Sequence, residues 1–143
     1  MKILGLTRAD ASSEAGEIGS PELFEAMGKL MEEVTAAGVM IASDGLKPTS
    51  FGKRVKYENG KSTIVDGPFT ESKELVASYA LFQVGDWDQA IYWTNRFLEV
   101  IGGGEVELRP LYEASDFPED LFPPEAQAQE EAMREQWRNN ANA

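Results

Sequence analysis

Apolar residues in this chain recur with two periods, one near two residues and one near three and a half. That alternation lays out the elements in order. Residues 2–8 read as a first strand, ending at Thr7-Arg8. Residues 9–20 are small and polar, with Ser12, Ser13, Gly16 and Gly19, and read as an exposed loop. Ser20-Pro21 then opens a helix, with Ser20 as N-cap and Pro21 in the first turn. Leu23, Met27, Leu30 and Val34 form its apolar stripe, widened by Phe24 and Met31, and Gly38 stops it. Val39 to Ala42 predicts a short strand broken by a turn at Asp44-Gly45. Lys53–Tyr57 and Ser62–Val65 flank Glu58-Asn59-Gly60, a hairpin signal because both turn positions require positive φ. Leu75 to Val84 is the longest strand candidate, with Ser78, Ala80, Phe82 and Val84 on one face and Tyr79, Leu81 and Gln83 on the other. Asp86 caps a second helix, with Gln89 three positions on. Its stripe runs Trp87, Ile91, Thr94, Leu98 and Ile101, with Ala90 and Phe97 beside it, as far as Gly102. Glu105 to Leu111 is a last strand.

The order is β-α-β, a hairpin, then β-α-β. It predicts an α+β, ferredoxin-like subunit: an antiparallel sheet with both helices on one face. Both faces of the 75–84 strand are largely apolar, so the second sheet face needs a cover. A second copy of the chain is the simplest cover, and a homodimer is therefore expected. After Phe117 the composition changes. Pro118, Pro123 and Pro124 punctuate it, and 125–138 reads as a helix with Ala126, Gln129, Met133 and Trp137 on one stripe. The expected division is a domain over 1–116 and a C-terminal extension over 117–143. That terminal helix reads equally as a solvated end or as an arm docked on a partner subunit.

Composition narrows the chemistry. The chain has 143 residues, 42% of them hydrophobic, as in a globular domain. Its 25 acids outnumber its 13 bases, for a formal net charge of −12. That charge repels phosphate backbones and anionic lipid, so neither nucleic acid nor membrane is an expected partner. There is no cysteine and no histidine. Disulfides, thiolate nucleophiles and the commonest general base and metal ligand are thereby excluded, and no metal or cofactor is expected. The opening residues carry too short an apolar run for a signal peptide, so the expected compartment is the cytoplasm.

One stretch stands out: Val65-Asp66-Gly67-Pro68-Phe69-Thr70-Glu71-Ser72-Lys73-Glu74. It resembles the signature of the YCII-related proteins, in the branch named for its Asp-Gly-Pro-Phe (DGPF) motif, matching at Asp66, Gly67, Pro68, Phe69, Glu71, Lys73 and Glu74. Gly45-Leu46-Lys47-Pro48 is similar to the family's Gly/Leu/Pro turn. Residues 105–110 are similar to its closing strand, with Leu108 where valine is usual. The resemblance covers roughly residues 1–112. It implies a subunit that pairs sheet to sheet as a dimeric α+β barrel. It also implies a pocket between sheet and helices with the motif aspartate at its edge. In some related proteins an aspartate–histidine pair carries lyase-type proton chemistry; this chain has no histidine, so that pair cannot exist here.

Asp66 is the candidate catalytic group. As a proton carrier it needs partial burial; as a turn residue it would accept backbone N–H groups. Gly67, Pro68 and Phe69 shape the loop around it. Arg8, Arg54 and Arg109 are candidate clamps for a ligand carboxylate, and Lys73 for an anion. Ser78 and Tyr79 lie on opposite faces of one strand, so one of them should look into the pocket. Gly102-Gly103-Gly104 follows a helix and precedes a strand, the reverse of a dinucleotide loop. The leading functional expectation is a small-molecule binding or accessory protein without assigned chemistry. The alternatives are an isomerase or lyase using Asp66 with Arg or Lys partners, and an interaction module that works with a transcription regulator.

Overall fold

A computed structural model describes residues 1–70 and 74–142 of the chain. In chain order the elements are β1 (Lys2–Arg8), α1 (Ala11–Glu14), α2 (Pro21–Ala36), β2 (Met40–Gly45), β3 (Lys53–Glu58), β4 (Lys61–Asp66), β5 (Val76–Gln83), α3 (Trp87–Ile101), β6 (Val106–Pro110) and α4 (Pro124–Ala141). Two compact units are formed, Met1–Leu111 and Tyr112–Ala143. Among the described residues no helix is long and apolar enough to cross a membrane.

The caps act where the sequence places them. Ser20 accepts from the Leu23 N–H at the start of α2, and Asp86 accepts from the Gln89 N–H at the start of α3. Gln89 in turn accepts from the Gly85 N–H, one residue before the cap. Gly102 ends α3 in the left-handed region at φ 85°. Residues 9–20 were expected to be a loop throughout. Instead Asp10 and Ser13 form a reciprocal capping box that sets up the short helix α1. The strand expected to break at Asp44-Gly45 runs through both, because Asp44 pairs with Tyr79 and Gly45 with Ser78.

Four strands form one antiparallel sheet in the order β2-β5-β1-β6, and β3-β4 form a separate two-stranded ribbon. The strand order and the two β-α-β crossovers are those of a ferredoxin-like fold. The ribbon turns at Asn59 (φ 51°) and Gly60 (φ 77°), as the hairpin signal requires.

Register decides which residues meet the helices. Ile3 pairs with Phe82, and Gly5 with Ala80 and Leu108. Ile3, Val34, Val39, Phe82, Val84 and Ala90 make the core between this sheet face and the helices α2 and α3. The opposite face carries Leu4, Leu6, Tyr79 and Leu81, all only half-buried. An ion pair from Arg96 on α3 to Glu33 on α2, at 2.6 Å, ties the helices together.

The inward stripe of α3 differs from the expected one. Thr94 of the expected stripe is buried, but so is Ala90 beside it, whereas Trp87 and Ile91 are exposed. Apolar residues span a wide arc of this helix, and docking selects the side on which small Ala90 lets it approach the sheet.

In the second unit Tyr112, Phe117 and Phe122 stack in a chain, with ring centroids 5.1 and 6.0 Å apart. Pro124 starts α4, and Glu130 pairs with Arg134 one turn on.

Candidate functional site

The motif loop grows out of the closing pair of the β3-β4 ribbon, Lys53 opposite Asp66. Lys53 Nζ donates to Asp66 Oδ1 at 2.5 Å, and the Asp66 side chain is 74% exposed. Among the described residues the carboxylate therefore holds a lysine rather than backbone N–H groups. Gly67 donates its N–H to the Gly52 carbonyl at 3.0 Å. A Cβ at Gly67 would overlap the Thr49 carbonyl oxygen, so only glycine fits at this position. The Gly67–Pro68 bond is cis.

Phe69 donates its N–H to Thr49 Oγ1 at 3.1 Å, and the Arg54 guanidinium lies 3.9 Å over its ring. Thr49 in turn gives both its N–H and its hydroxyl to the two oxygens of Glu14, at 3.1 and 2.6 Å. Glu14, Thr49 and Phe69 thus form a continuous polar link from α1 through the 3-10 turn Thr49–Phe51 to the motif. Sequence reasoning missed Glu14 and Thr49. Neither carries a local signal, because they meet across 35 residues of chain.

The other candidates fall elsewhere. Arg8 donates to Glu107 at 2.9 Å, and Arg109 reaches the same carboxylate at 3.5 Å. Both arginines are engaged on the β1–β6 pair rather than gathered with Arg54. Tyr79 donates its hydroxyl to Asp44 Oδ2 at 2.7 Å. That bond, and secondarily burial and the Asp44 charge, raises the Tyr79 phenol above its ordinary value. Lys73 and Glu71 lie outside the described residues.

A different group of residues lines a cavity between the sheet and the helices. Burial falls away along both helices in the same direction: Val34 and Leu30 are buried but Phe24 is exposed, and Ala90 and Thr94 are buried while Phe97 is only half so. At that end the helices leave a cleft of about 510 Å³ over the sheet. Its walls are Phe24, Met27, Met31, Trp93 and Phe97, and its floor is Gly5, Thr7, Ser43, Ser78 and Ala80. The floor is low at Ala80, and over Gly5 the Val106, Leu108 and Phe82 side chains lie at contact distance from where a Cβ would stand. The two residues set on opposite strand faces both border the cleft, and Ser78, paired across the strands with Thr7, shares the helix-facing side with Ala80. Thr94 satisfies its hydroxyl within its own helix, on the Ala90 carbonyl at 2.8 Å. The hydroxyls of Thr7, Ser43 and Ser78 have no such bond among the described residues, and no buried polar side-chain atom there lacks a partner. These hydroxyls are therefore open to the cleft. Asp66, Gly67, Pro68, Phe69 and Arg54 do not line it. The expectation of a motif aspartate at the pocket's edge is therefore not met within the single chain. A second, more open depression of about 780 Å³ lies beside it, lined by Arg8, Asp10, Ser13, Gly103 and Gly104.

A family model described as the YCII-related domain matches residues 1–115. No curated protein matches the chain. Among solved structures, 5-chloro-2-hydroxyhydroquinone dehydrochlorinase (TftG) from Burkholderia phenoliruptrix AC1100, in complex with 2,5-dihydroxybenzoquinone, is similar at a TM-score of 0.43 and 10% identity, covering 82% of this chain and 100% of that one.

Proposed function

Because the chain belongs to the YCII-related family, we propose that it is a small-molecule binding protein whose ligand lies in the cleft between the sheet and helices α2 and α3. The observation that carries this reading is the cleft itself. Its volume falls in the range that encloses an organic ligand. Its lining is mostly apolar with a few convergent hydroxyls, the composition typical of such sites. The motif loop serves as scaffold: Asp66 closes the ribbon through Lys53, and Phe69 is pinned through Thr49 to Glu14. An exposed, lysine-paired carboxylate is poorly suited to proton transfer, which favours binding over lyase or isomerase chemistry at Asp66.

The working form in this reading is a cytoplasmic homodimer of the DGPF branch, paired through the sheet face that carries Leu4, Leu6, Tyr79 and Leu81. Half-buried leucines on an open face support that pairing.

The test is a ligand screen on the full chain, read by thermal unfolding and by fluorescence of Trp93 on the cleft wall. A binder should raise the melting temperature and change the emission. Ala80→Leu, which fills the floor, should abolish both responses while leaving the fold intact by circular dichroism. Hits that bind Ala80→Leu as well as wild type would move the site elsewhere.

A further inference from the structure

We propose that the ligand of this cleft is an uncharged, flat, largely apolar molecule carrying a hydrogen-bonding oxygen, which docks on the Thr7–Ser78 hydroxyl pair. This rests on the cleft being the binding site.

Charge sets the first limit. Among the described residues, lysine, arginine and glutamate are absent from the lining. Asp44 and Tyr79 both border the cleft, and the Asp44 carboxylate accepts the Tyr79 hydroxyl. Strand alternation places Tyr79 opposite to Ser78 and Ala80, so the Asp44–Tyr79 bond sits on the sheet side away from the helices. A charged ligand would give up its hydration for thioether, aromatic and methyl surface, with only the already engaged Asp44 carboxylate beside it among the described residues, and that is costly. The net charge of −12 adds a further penalty for anions.

Shape sets the second limit. Gly5 and Ala80 are directly paired on neighbouring strands, with Ser43 opposite Ala80 on the next. Ala80 and Ser43 keep the floor low, while the Val106, Leu108 and Phe82 side chains fill in over Gly5 to the same level. Trp93, Phe97 and Phe24 stand around it with Met27 and Met31, and such side chains pack well against a planar ring.

Polarity sets the third. Thr7 and Ser78 are register partners, so their side chains are neighbours on the same sheet face at one end of this floor. Each can donate or accept. Beside a level apolar surface they are placed to hold a carbonyl or hydroxyl at the edge of a ring.

The experiment uses one ring system in four forms: 2-naphthol, naphthalene, 2-naphthoate and 2-naphthylmethylammonium. Each is titrated calorimetrically against the full chain at neutral pH. 2-Naphthol is expected to bind at least about tenfold more tightly than either ion. The double variant Thr7→Val/Ser78→Ala is expected to reduce 2-naphthol to the affinity of naphthalene. Ala80→Leu, or Met27→Trp should Ala80→Leu fail to fold, is expected to remove binding of all four.

If either ion matches 2-naphthol, or the double variant leaves its advantage over naphthalene intact, the ligand class is overturned. The cleft still stands in that case if the filling variants abolish binding. If no probe binds, or the probes bind the filled variants unchanged, the cleft assignment itself is overturned.

Discussion

At the scale of single residues, the motif separates into positions set by shape and positions set by charge. Gly67 is a matter of shape, since the Thr49 carbonyl occupies the space a side chain would need. Gly67→Ala should therefore destabilise the fold by about 1–3 kcal/mol, as overpacking does, in urea unfolding. Asp66 is a matter of charge, and an exposed one. Asp66→Asn should cost no more than about 1 kcal/mol by the same measurement, the ordinary worth of a solvent-screened pair. A larger loss would show that the carboxylate holds more than Lys53.

Tyr79 supplies a pH signature. Its O–H donates to the Asp44 carboxylate, so the folded protein favours the protonated phenol, and its pKa lies above the ordinary 10.0. Stability from this bond is complete below the unfolded value and falls as pH rises through the folded one. In ultraviolet titration, the phenolate signal lost in Tyr79→Phe should ionise above the ordinary value. Asp44→Asn should bring it back down.

At the scale of elements, the pieces with strong local signals form where the sequence places them. Ser20-Pro21, Asp86 with Gly102, and Asn59-Gly60 each satisfy backbone groups or a required φ from within a few residues. Ser20→Ala should lower stability by about 1 kcal/mol through the lost α2 cap. The Glu14–Thr49–Phe69 link is of another kind, since it joins three elements and no local pattern announces it. Thr49→Val keeps the volume but removes the hydroxyl that donates to Glu14 and accepts from Phe69. Its expected cost is about 1–3 kcal/mol, that of half-buried groups left unpaired, together with faster hydrogen exchange at the Phe69 amide. If Thr49→Val is neutral, water serves these groups equally well.

At the scale of the whole molecule, the sheet presents two unlike faces. One is filled by Val34 and Ala90 from the helices at the Ile3 end and opens into the cleft at the Thr7 end. The other leaves its leucines half-buried, which is where pairing with a second copy is expected. Leu6→Glu should then sediment as a monomer at micromolar concentration where wild type sediments as a dimer. Equal sedimentation of the two would remove this face as the interface.

What the sequence determined by itself was local and periodic: the four main strands, the two long helices with their caps, the hairpin, and the family signature from Asp66 to Phe69. Each of these depends on residues within one turn or one strand of one another, so its energetics are written in consecutive positions. Which arc of α3 faces the sheet was not so written. Its apolar residues cover two adjacent stripes, and only packing with Phe82 and Ile3 selects Ala90 over Trp87 and Ile91, with Thr94 of the expected stripe buried as well. The cleft was no more legible than that. It exists because Ser43 and Ala80, far apart in the chain, are brought into register beneath the unburied ends of two helices. A cavity is a property of what the packed elements fail to fill, and that is settled only when they meet.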